Sequence, residues 1–393
     1  MERHTLKSTG LLRLKTVSDF ELFYKNRGEF NNLEFTLNRI KNAASEACID
    51  DCIADNVVHI AGTNGKGSTA FFIEQILAHR ALSTACFTSP HISNIRERIR
   101  LNGYDITSEK FDQTFNHLKP LIIKHNLSYF EGLTLIAYKH FKNNMPNVAI
   151  IETGLGGRLD STNILDKKIP VITAISKDHV EYLGDDVFKI ADEKLAIIKN
   201  NPVVFIGDNS EHMNTYLNDK LHDKTIVRGN YSDENYMGFG SPFANNLRLA
   251  KSVSDFIMKG EMPQILKLPK CRGEKINGFV LDGGHNEAAL LKIAERFAGK
   301  KPVVVFSSTS DRDSALLLKV IETFADKIII TTIPDFERSL DPNLLSTSHI
   351  KEKDPLKALK IAVELNKNTD ILVCGSLYLC AHVREILTKG LLC

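Results

Sequence analysis

Short apolar runs alternate with apolar stripes at helical spacing along most of the chain. Runs at 57–61, 84–88, 148–152, 171–175 and 203–207 have the length and composition of strands. Helical patterns separate them. Phe71, Phe72, Ile73, Ile76 and Leu77 mark a buried helix face after the first run, and further patterns cover 108–125, 131–142, 186–199, 211–220 and 244–258. Alternation of this kind predicts an α/β fold on a parallel sheet. Ahead of it, Phe20, Leu22 and Phe23, then Leu33, Phe35, Leu37 and Ile40, predict helices flanking a loop at 25–29. Residues 1–17 are basic, lack a helical face and read as a loose extension.

A second, shorter alternation follows. Strand patterns at 279–282, 303–307, 327–332 and 370–374 interleave with helical ones at 286–297, 314–324, 355–365 and 378–387, predicting a smaller doubly wound, Rossmann-like domain. Between the two, the stretch from Gly260 with Pro263, Pro269 and Gly273 reads as a linker. The expected organisation is a nucleotide-binding domain at 1–262, a linker at 263–276 and a C-terminal domain at 277–393. A chain of 393 residues exceeds one ordinary core, which fits two domains.

The polar residues that stop these strands carry the candidate chemistry. The run at 57–61 ends on Gly62-Thr63-Asn64-Gly65-Lys66-Gly67-Ser68-Thr69 and then a helix. Glycines let backbone N–H groups close on phosphate oxygens, the helix N-terminus favours the same anion, Lys66 supplies a compact cation, and Ser68 or Thr69 a hydroxyl for phosphate or Mg²⁺. In the strict phosphate-loop spacing the first glycine would fall at Ile60, so the loop is a variant in which Gly62 takes up the turn. The strand at 148–152 ends on Glu152, a candidate Mg²⁺ ligand, directly or through water. Gly154, Gly156 and Gly157 after it do not make a dinucleotide fingerprint, because Leu159 stands at the last glycine position. Ser89 and His179 lie after two other strands, where open α/β sheets bind ligands. For Lys194, spacing alone allows an ordinary exposed helix lysine.

Composition narrows the partners. Lys and Arg total 50 against 48 Asp and Glu, with no basic block, so nucleic acid is not an expected partner. No apolar run reaches membrane-spanning length and the N-terminus lacks an apolar signal core, so no membrane association and a cytoplasmic location are expected. Seven scattered cysteines without a paired motif predict free thiols rather than disulfides or structural zinc.

Taken together, Gly62–Thr69, Thr88-Ser89-Pro90-His91 with Glu97-Arg98-Ile99, the stretch 152–163, Asp178-His179 with Leu183-Gly184, Glu193-Lys194, Asp282-Gly283-Gly284-His285-Asn286 and Gly375-Ser376-Leu377-Tyr378-Leu379 form an ordered series. The series resembles that of the folylpolyglutamate synthase/dihydrofolate synthase family, in the Mur-ligase superfamily of ATP-dependent amide ligases. The resemblance runs from about Phe20 to Leu387. It implies a P-loop Mur-ligase-type central domain before the C-terminal domain, and addition of L-glutamate to dihydropteroate or to the γ-carboxylate of a reduced folyl-glutamate through an acyl phosphate. A Mur-type ligase for a cell-wall precursor and a non-catalytic ATP-binding regulator are the other classes open to such a chain.

Residue by residue, the resemblance implies that Gly62 to Thr69, with Lys66 at the phosphates, hold ATP, helped by Arg272, Asp282, His285 and Asn286. Ser89, Glu152 and His179 would hold magnesium. Lys194 matches a lysine that is carbamylated in the family and helps with a second magnesium; a bare ammonium has no lone pair for a metal. Lys66, His179 and Lys194 are the implied catalytic residues. Pro90, His91, Arg98, Asp160, Asp313 and Ser376 would contact the carboxylate and amino-acid substrates, and Asn245 or Asn246 would face the nucleotide. A monomer is expected. Lys177, Leu195-Ala196 and Lys270-Cys271 depart from the family wording without removing a proposed ligand.

Overall fold

A computed structural model describes residues 18–25, 36–178, 180–229, 240, 242–367 and 370–392. The extension at 1–17 and His179 lie outside the described residues, as do most of the loop at 25–29 and of the 229–242 stretch. The first domain opens with α1 (Asp19–Lys25) and α2 (Asn38–Glu46), then β1 (Asn56–Ala61), α3 (Lys66–His79), β2 (Thr84–Phe87), β3 (Ile99–Leu101) and β4 (Tyr104–Asp105). It continues with α4 (Ser108–Lys124), α5 (Tyr129–Asn144), β5 (Val148–Glu152), β6 (Ile169–Ile172), α6 (Val180–Leu183), α7 (Val187–Leu195), β7 (Val203–Ile206), α8 (Glu211–Lys220), β8 (Thr225–Arg228) and α9 (Phe243–Ile257). Its eight strands run in the order β4-β3-β2-β5-β1-β6-β7-β8. From β2 to β8 they are parallel, and β3 and β4 fold antiparallel onto that edge.

Strand alternation sends the two faces of this sheet into separate cores. Val57, Ala149 and Ile151 face a cluster with Phe20, Phe111, Phe115 and Phe141, from α1, α4 and α5. Val58, Ile60, Val148 and Ile150 face the other side, against Phe72, Ile73 and Ile76 of α3 and Leu247 and Val253 of α9. Because both faces are covered, the central strands read as unbroken apolar runs. Ser128 and Glu131 close a reciprocal capping box at the start of α5, which fixes where the chain turns back toward β5.

The second domain comprises β9 (Arg272–Ile276), β10 (Phe279–Asp282), α10 (Glu287–Arg296), β11 (Val303–Phe306), α11 (Ser314–Glu322), β12 (Lys327–Ile330), β13 (Ile350–Lys351), α12 (Pro355–Leu365), β14 (Ile371–Cys374) and α13 (Leu377–Thr388). Its six strands run β13-β12-β11-β14-β10-β9, parallel except for β9. The structure therefore puts the end of the expected linker, Arg272–Ile276, into the sheet as an antiparallel edge strand. Its charged, glycine-containing sequence suits an edge rather than a buried strand, which is why apolar patterning passed it over. The hairpin β3–β4 and the short β8 and β13 were likewise not marked by apolar runs. Among the described residues no helix is long and apolar enough to cross a membrane. Cys86, Cys271, Cys374 and Cys380 are free and buried.

Candidate active site

The turn from β1 to α3 is built so that no side chain crowds it. Gly62 has φ +148°, and a Cβ there would stand 1.9 Å from Thr173 Oγ1; Gly65 has φ +91°, and its Cβ would stand 2.5 Å from Asn246 Oδ1. Both positions demand glycine. The loop leads into the N-terminal turn of α3, so backbone donors and the helix dipole converge on one spot. Lys66 Nζ donates to the Gly62 and Thr63 carbonyls at 3.0 and 3.2 Å. Ser68 lines the cleft, whereas Thr69 is fully buried with its Oγ1 unpaired and does not line it. Of the two candidate hydroxyls, Ser68 is the one that borders the cleft.

Register brings the carboxylate to this loop. Ile60 of β1 pairs with Glu152 of β5, so Glu152 emerges beside the glycines. Its Oε2 accepts a hydrogen bond from Ser89 N–H at 2.9 Å, joining the end of β2 to the end of β5. Burial raises the proton affinity of Glu152, opposed by Lys66, the Ser89 N–H, Arg272 and Arg100. Pro90 and His91 continue the same wall. His91 Nδ1 accepts from Arg98 Nε at 3.0 Å, and Arg98 lies over the Tyr129 ring, 5.7 Å from its centroid.

Lys194 is not an exposed helix lysine. It is 4% exposed, and burial, then the charge of Lys66, lowers its pKa to about 7, with Asp178, Asp160 and Glu193 acting the other way. The loop after β5 packs directly on α7, since a Cβ on Gly157 would stand 2.6 Å from the Glu193 carbonyl oxygen. Asp160 shapes that loop. Its carboxylate accepts from Leu155 N–H at 2.8 Å and from Thr162 N–H at 3.0 Å, so its oxygens are spent inside the loop although the residue borders the cleft. Asp160 thus borders the cleft, as expected of a substrate contact, while also bracing the loop.

The second domain supplies the opposite wall. Asp282, at the end of β10, is paired with Arg296 at 2.9 Å and is in register with Arg272. Burial lowers the His285 pKa to about 4, partly countered by Asp178, so the ring is neutral at pH 7. Asn286 caps α10 through Ala289 N–H at 2.9 Å and exchanges two hydrogen bonds of 3.2 Å with Asn64 of the phosphate loop. Ser376 caps α13 through Tyr378 N–H and borders the cleft. Asp313 does not. It is the exposed N-cap of α11, accepting from Leu316 N–H at 3.0 Å, and the cleft is lined instead by Asp311 and Arg312 of the same loop. An aspartate immediately before a helical pattern is itself a capping signal.

These residues surround one interdomain cleft of about 2030 Å³, lined from both domains. Thr63 to Ser68, Ser89, Glu152, Arg272, Asp282, His285 and Ser376 line it, whereas Gly62, Thr69 and Asn286 stand behind these residues and do not. Of the two asparagines left open by the sequence, Asn246 is the one against Gly65, while Asn245 bonds Asp208 at 2.8 Å. Sequence reasoning missed Asp178 and Arg312 as a pair across the domains, and the wall of Phe336, Arg338 and Tyr378. Among the described residues no group of three or more His, Cys, Asp or Glu is placed to hold a metal. The donor set present, one buried carboxylate with serine hydroxyls beside a phosphate loop, fits Mg²⁺, which takes few protein ligands and completes its shell with phosphate oxygens and water.

Comparison with known proteins decides the family. The Mur ligase middle domain model matches residues 60–237. The dihydrofolate synthase/folylpolyglutamate synthase of Bacillus subtilis is 31% identical, covering 83% of this chain and 89% of that protein. The chain belongs to the dihydrofolate synthase/folylpolyglutamate synthase family. These are ATP-dependent ligases. A dihydrofolate synthetase of Saccharomyces cerevisiae is 28% identical over 84% of this chain and 92% of its own. The bifunctional folylpolyglutamate synthase/dihydrofolate synthase of Yersinia pestis, solved with AMPPNP and a Mn ion, superposes with a TM-score of 0.82 at 26% identity, covering 93% of this chain and 97% of that one. Family membership accounts for the two-domain α/β architecture and for a cleft that opens between the domains.

Proposed function

We propose that this cleft adds L-glutamate to a pterin-bearing carboxylate, dihydropteroate or a reduced folyl-glutamate, with ATP as the energy source. The substrate carboxylate oxygen attacks the γ-phosphorus, forming an acyl phosphate and releasing ADP. The glutamate amine then attacks the acyl carbon, the C–O bond to phosphate breaks, and the amide forms as the nitrogen loses a proton. The observation that carries this reading is the juxtaposition of Glu152 with the phosphate loop and with Arg272 across the domain boundary.

The chain's own residues position and neutralise. The phosphate loop and Lys66 hold the triphosphate, and Arg272 reaches its outer oxygens from the second domain with a planar, permanently charged fork. Glu152, Ser89 and His179 would hold Mg²⁺, which would offset the charge that builds on the phosphates during transfer. Neutral His285, with Asp282 beside it, offers a surface for the nucleoside. Lys194 acts after carbamylation: its free amine adds to CO₂, a proton leaves, and a carboxylate stands where a cation was. A pKa of about 7 supports this, because the unprotonated amine is abundant at neutral pH. Both walls of the cleft come from the two domains of the same chain, which is compatible with a monomer as the working unit, and free thiols together with dependence on ATP support a cytoplasmic location.

The deciding experiment measures phosphate release from ATP and Mg²⁺ with L-glutamate in the presence of dihydropteroate, tetrahydrofolate or no pterin. Release dependent on either pterin is expected, and the pattern assigns one activity or both. No pterin-dependent release overturns the reading.

A further inference from the structure

Two polar contacts between the domains converge on a single unit of the first. Thr63 Oγ1 donates to the Ser176 carbonyl at 2.8 Å and accepts from Ser176 N–H at 3.0 Å, while Thr63 N–H donates to the Ala174 carbonyl at 2.8 Å. The phosphate loop and the segment 174–178 are thereby one body. At one end of it Asn64 exchanges amide hydrogen bonds with Asn286. At the other, Arg312 Nη1 donates to Asp178 Oδ1 across 134 residues of sequence.

Arg312 is presented on a braced loop. Arg312 N–H donates to the Thr309 carbonyl at 3.0 Å, Ser310 N–H to the Arg338 carbonyl at 2.8 Å, and the Ser308 and Ser314 hydroxyls meet at 2.6 Å. The guanidinium and carboxylate are 16% and 7% exposed. Such a pair adds little net stability, and Arg312 keeps a second, longer ion pair with Asp311 of its own loop at 3.7 Å, so the contact with Asp178 is the one that crosses the domains. Its value lies in fixing one arrangement. Asp178 and Arg312 both line the cleft, so the pair sits at the reaction space rather than at its outer rim.

We propose that Arg312 is a positioning residue whose ion pair with Asp178 locks the second domain over the phosphate loop and keeps water from the acyl phosphate. This rests on the ligase reaction above. In the locked state the glutamate amine attacks the acyl carbon. When the lock is broken, water attacks the same carbon, phosphate leaves, and the substrate carboxylate is regenerated with ATP spent and no amide made.

The test compares phosphate released with amide formed, by wild type, Arg312→Met and Arg312→Lys. The ratio should be near one in wild type and rise about tenfold in Arg312→Met, with Arg312→Lys between them. The double variant Asp178→Asn/Arg312→Met should be no worse coupled than either single variant. A ratio that stays near one in Arg312→Met while both products slow together overturns the proposal, since loss of binding or of folding lowers rates without uncoupling them. An independent arm follows closure by small-angle scattering on addition of AMPPNP and Mg²⁺. Wild type should compact and Arg312→Met should not; equal compaction overturns the lock. If wild type releases no phosphate with any pterin, the ligase reading fails, and the scattering arm decides the lock without it.

Discussion

A methyl group placed on Gly67, in the first turn of α3, would stand 3.3 Å from Glu152 Oε2 at the end of β5. The carboxylate thus lies against the start of the phosphate-binding helix, where a cation shared with phosphate oxygens would sit. The same closeness has a cost, because burial raises the proton affinity of Glu152 and disfavours its charge.

Function and stability should therefore separate at this residue. Glu152→Gln is expected to lower kcat by about 10²–10³-fold, as for loss of a group that orders transition-state charge. The folded chain should melt at the same temperature or higher, since a neutral amide needs less hydration than a buried carboxylate. Turnover assays and calorimetry on one preparation check both. A large fall in melting temperature would mean that Glu152 is chiefly structural.

Lys194 gives a pH signature. Its folded pKa of about 7 lies far below the ordinary lysine value, so the free amine that carbamylation needs is present above pH 7 and vanishes below it. Activity should fall about tenfold per unit as pH drops below 7, and added bicarbonate should recover part of it. Lys194→Ala should be nearly inactive and be partly rescued by short-chain carboxylic acids. Labelled CO₂ followed by ¹³C NMR would show the carbamate carbon in wild type alone.

His285 couples the cleft to acid stability. Its pKa is near 6.5 when unfolded and about 4 when folded, so between these values the unfolded chain binds more protons. Stability is complete above pH 6.5, declines as pH falls through the window, and loses nothing further from this group below pH 4. The full effect is on the order of 3 kcal/mol. His285→Gln should flatten that part of the pH–stability curve, measured by urea unfolding at several pH values.

The Asn64–Asn286 exchange and the α10 cap share one side chain. Asn64→Ala breaks the interdomain pair and a longer bond of 3.4 Å to Ser176 Oγ but no helix cap, whereas Asn286→Ala also removes the cap on Ala289 N–H. Both should raise KM for ATP. Only Asn286→Ala should also destabilise the protein, by about 1 kcal/mol, the usual worth of an N-cap. Equal stability of the two variants would assign the cap no weight.

Much of this site was legible because its signals are local. The Gly62 to Thr69 loop announces itself by glycines and a lysine between a strand and a helix, and Glu152 by a charge that ends an apolar run. Other features gave no such signal. Asp311, Arg312 and Asp313 are adjacent and similarly polar; the helical pattern from Ser314 marks Asp313 as a cap, but only the packing of that loop shows that Asp311 and Arg312 face the cleft. Arg272–Ile276 looks like linker because an edge strand needs no apolar alternation; its pairing with β10 is what makes it a strand.

By itself the sequence determined the order of the buried strands and the helices between them, the two alternating α/β halves, the phosphate loop and, through its motif series, the family. Periodicity and turn chemistry act over a few residues and can be read along the chain. The tertiary structure decided which side chains lose their water and which meet across the domains. Lys194 has its low pKa because the loop carrying Gly157 covers α7, and Arg312 finds Asp178 because two sheets bring their strand ends face to face. Desolvation and long-range pairing depend on what packs around a group, and no window of sequence contains that.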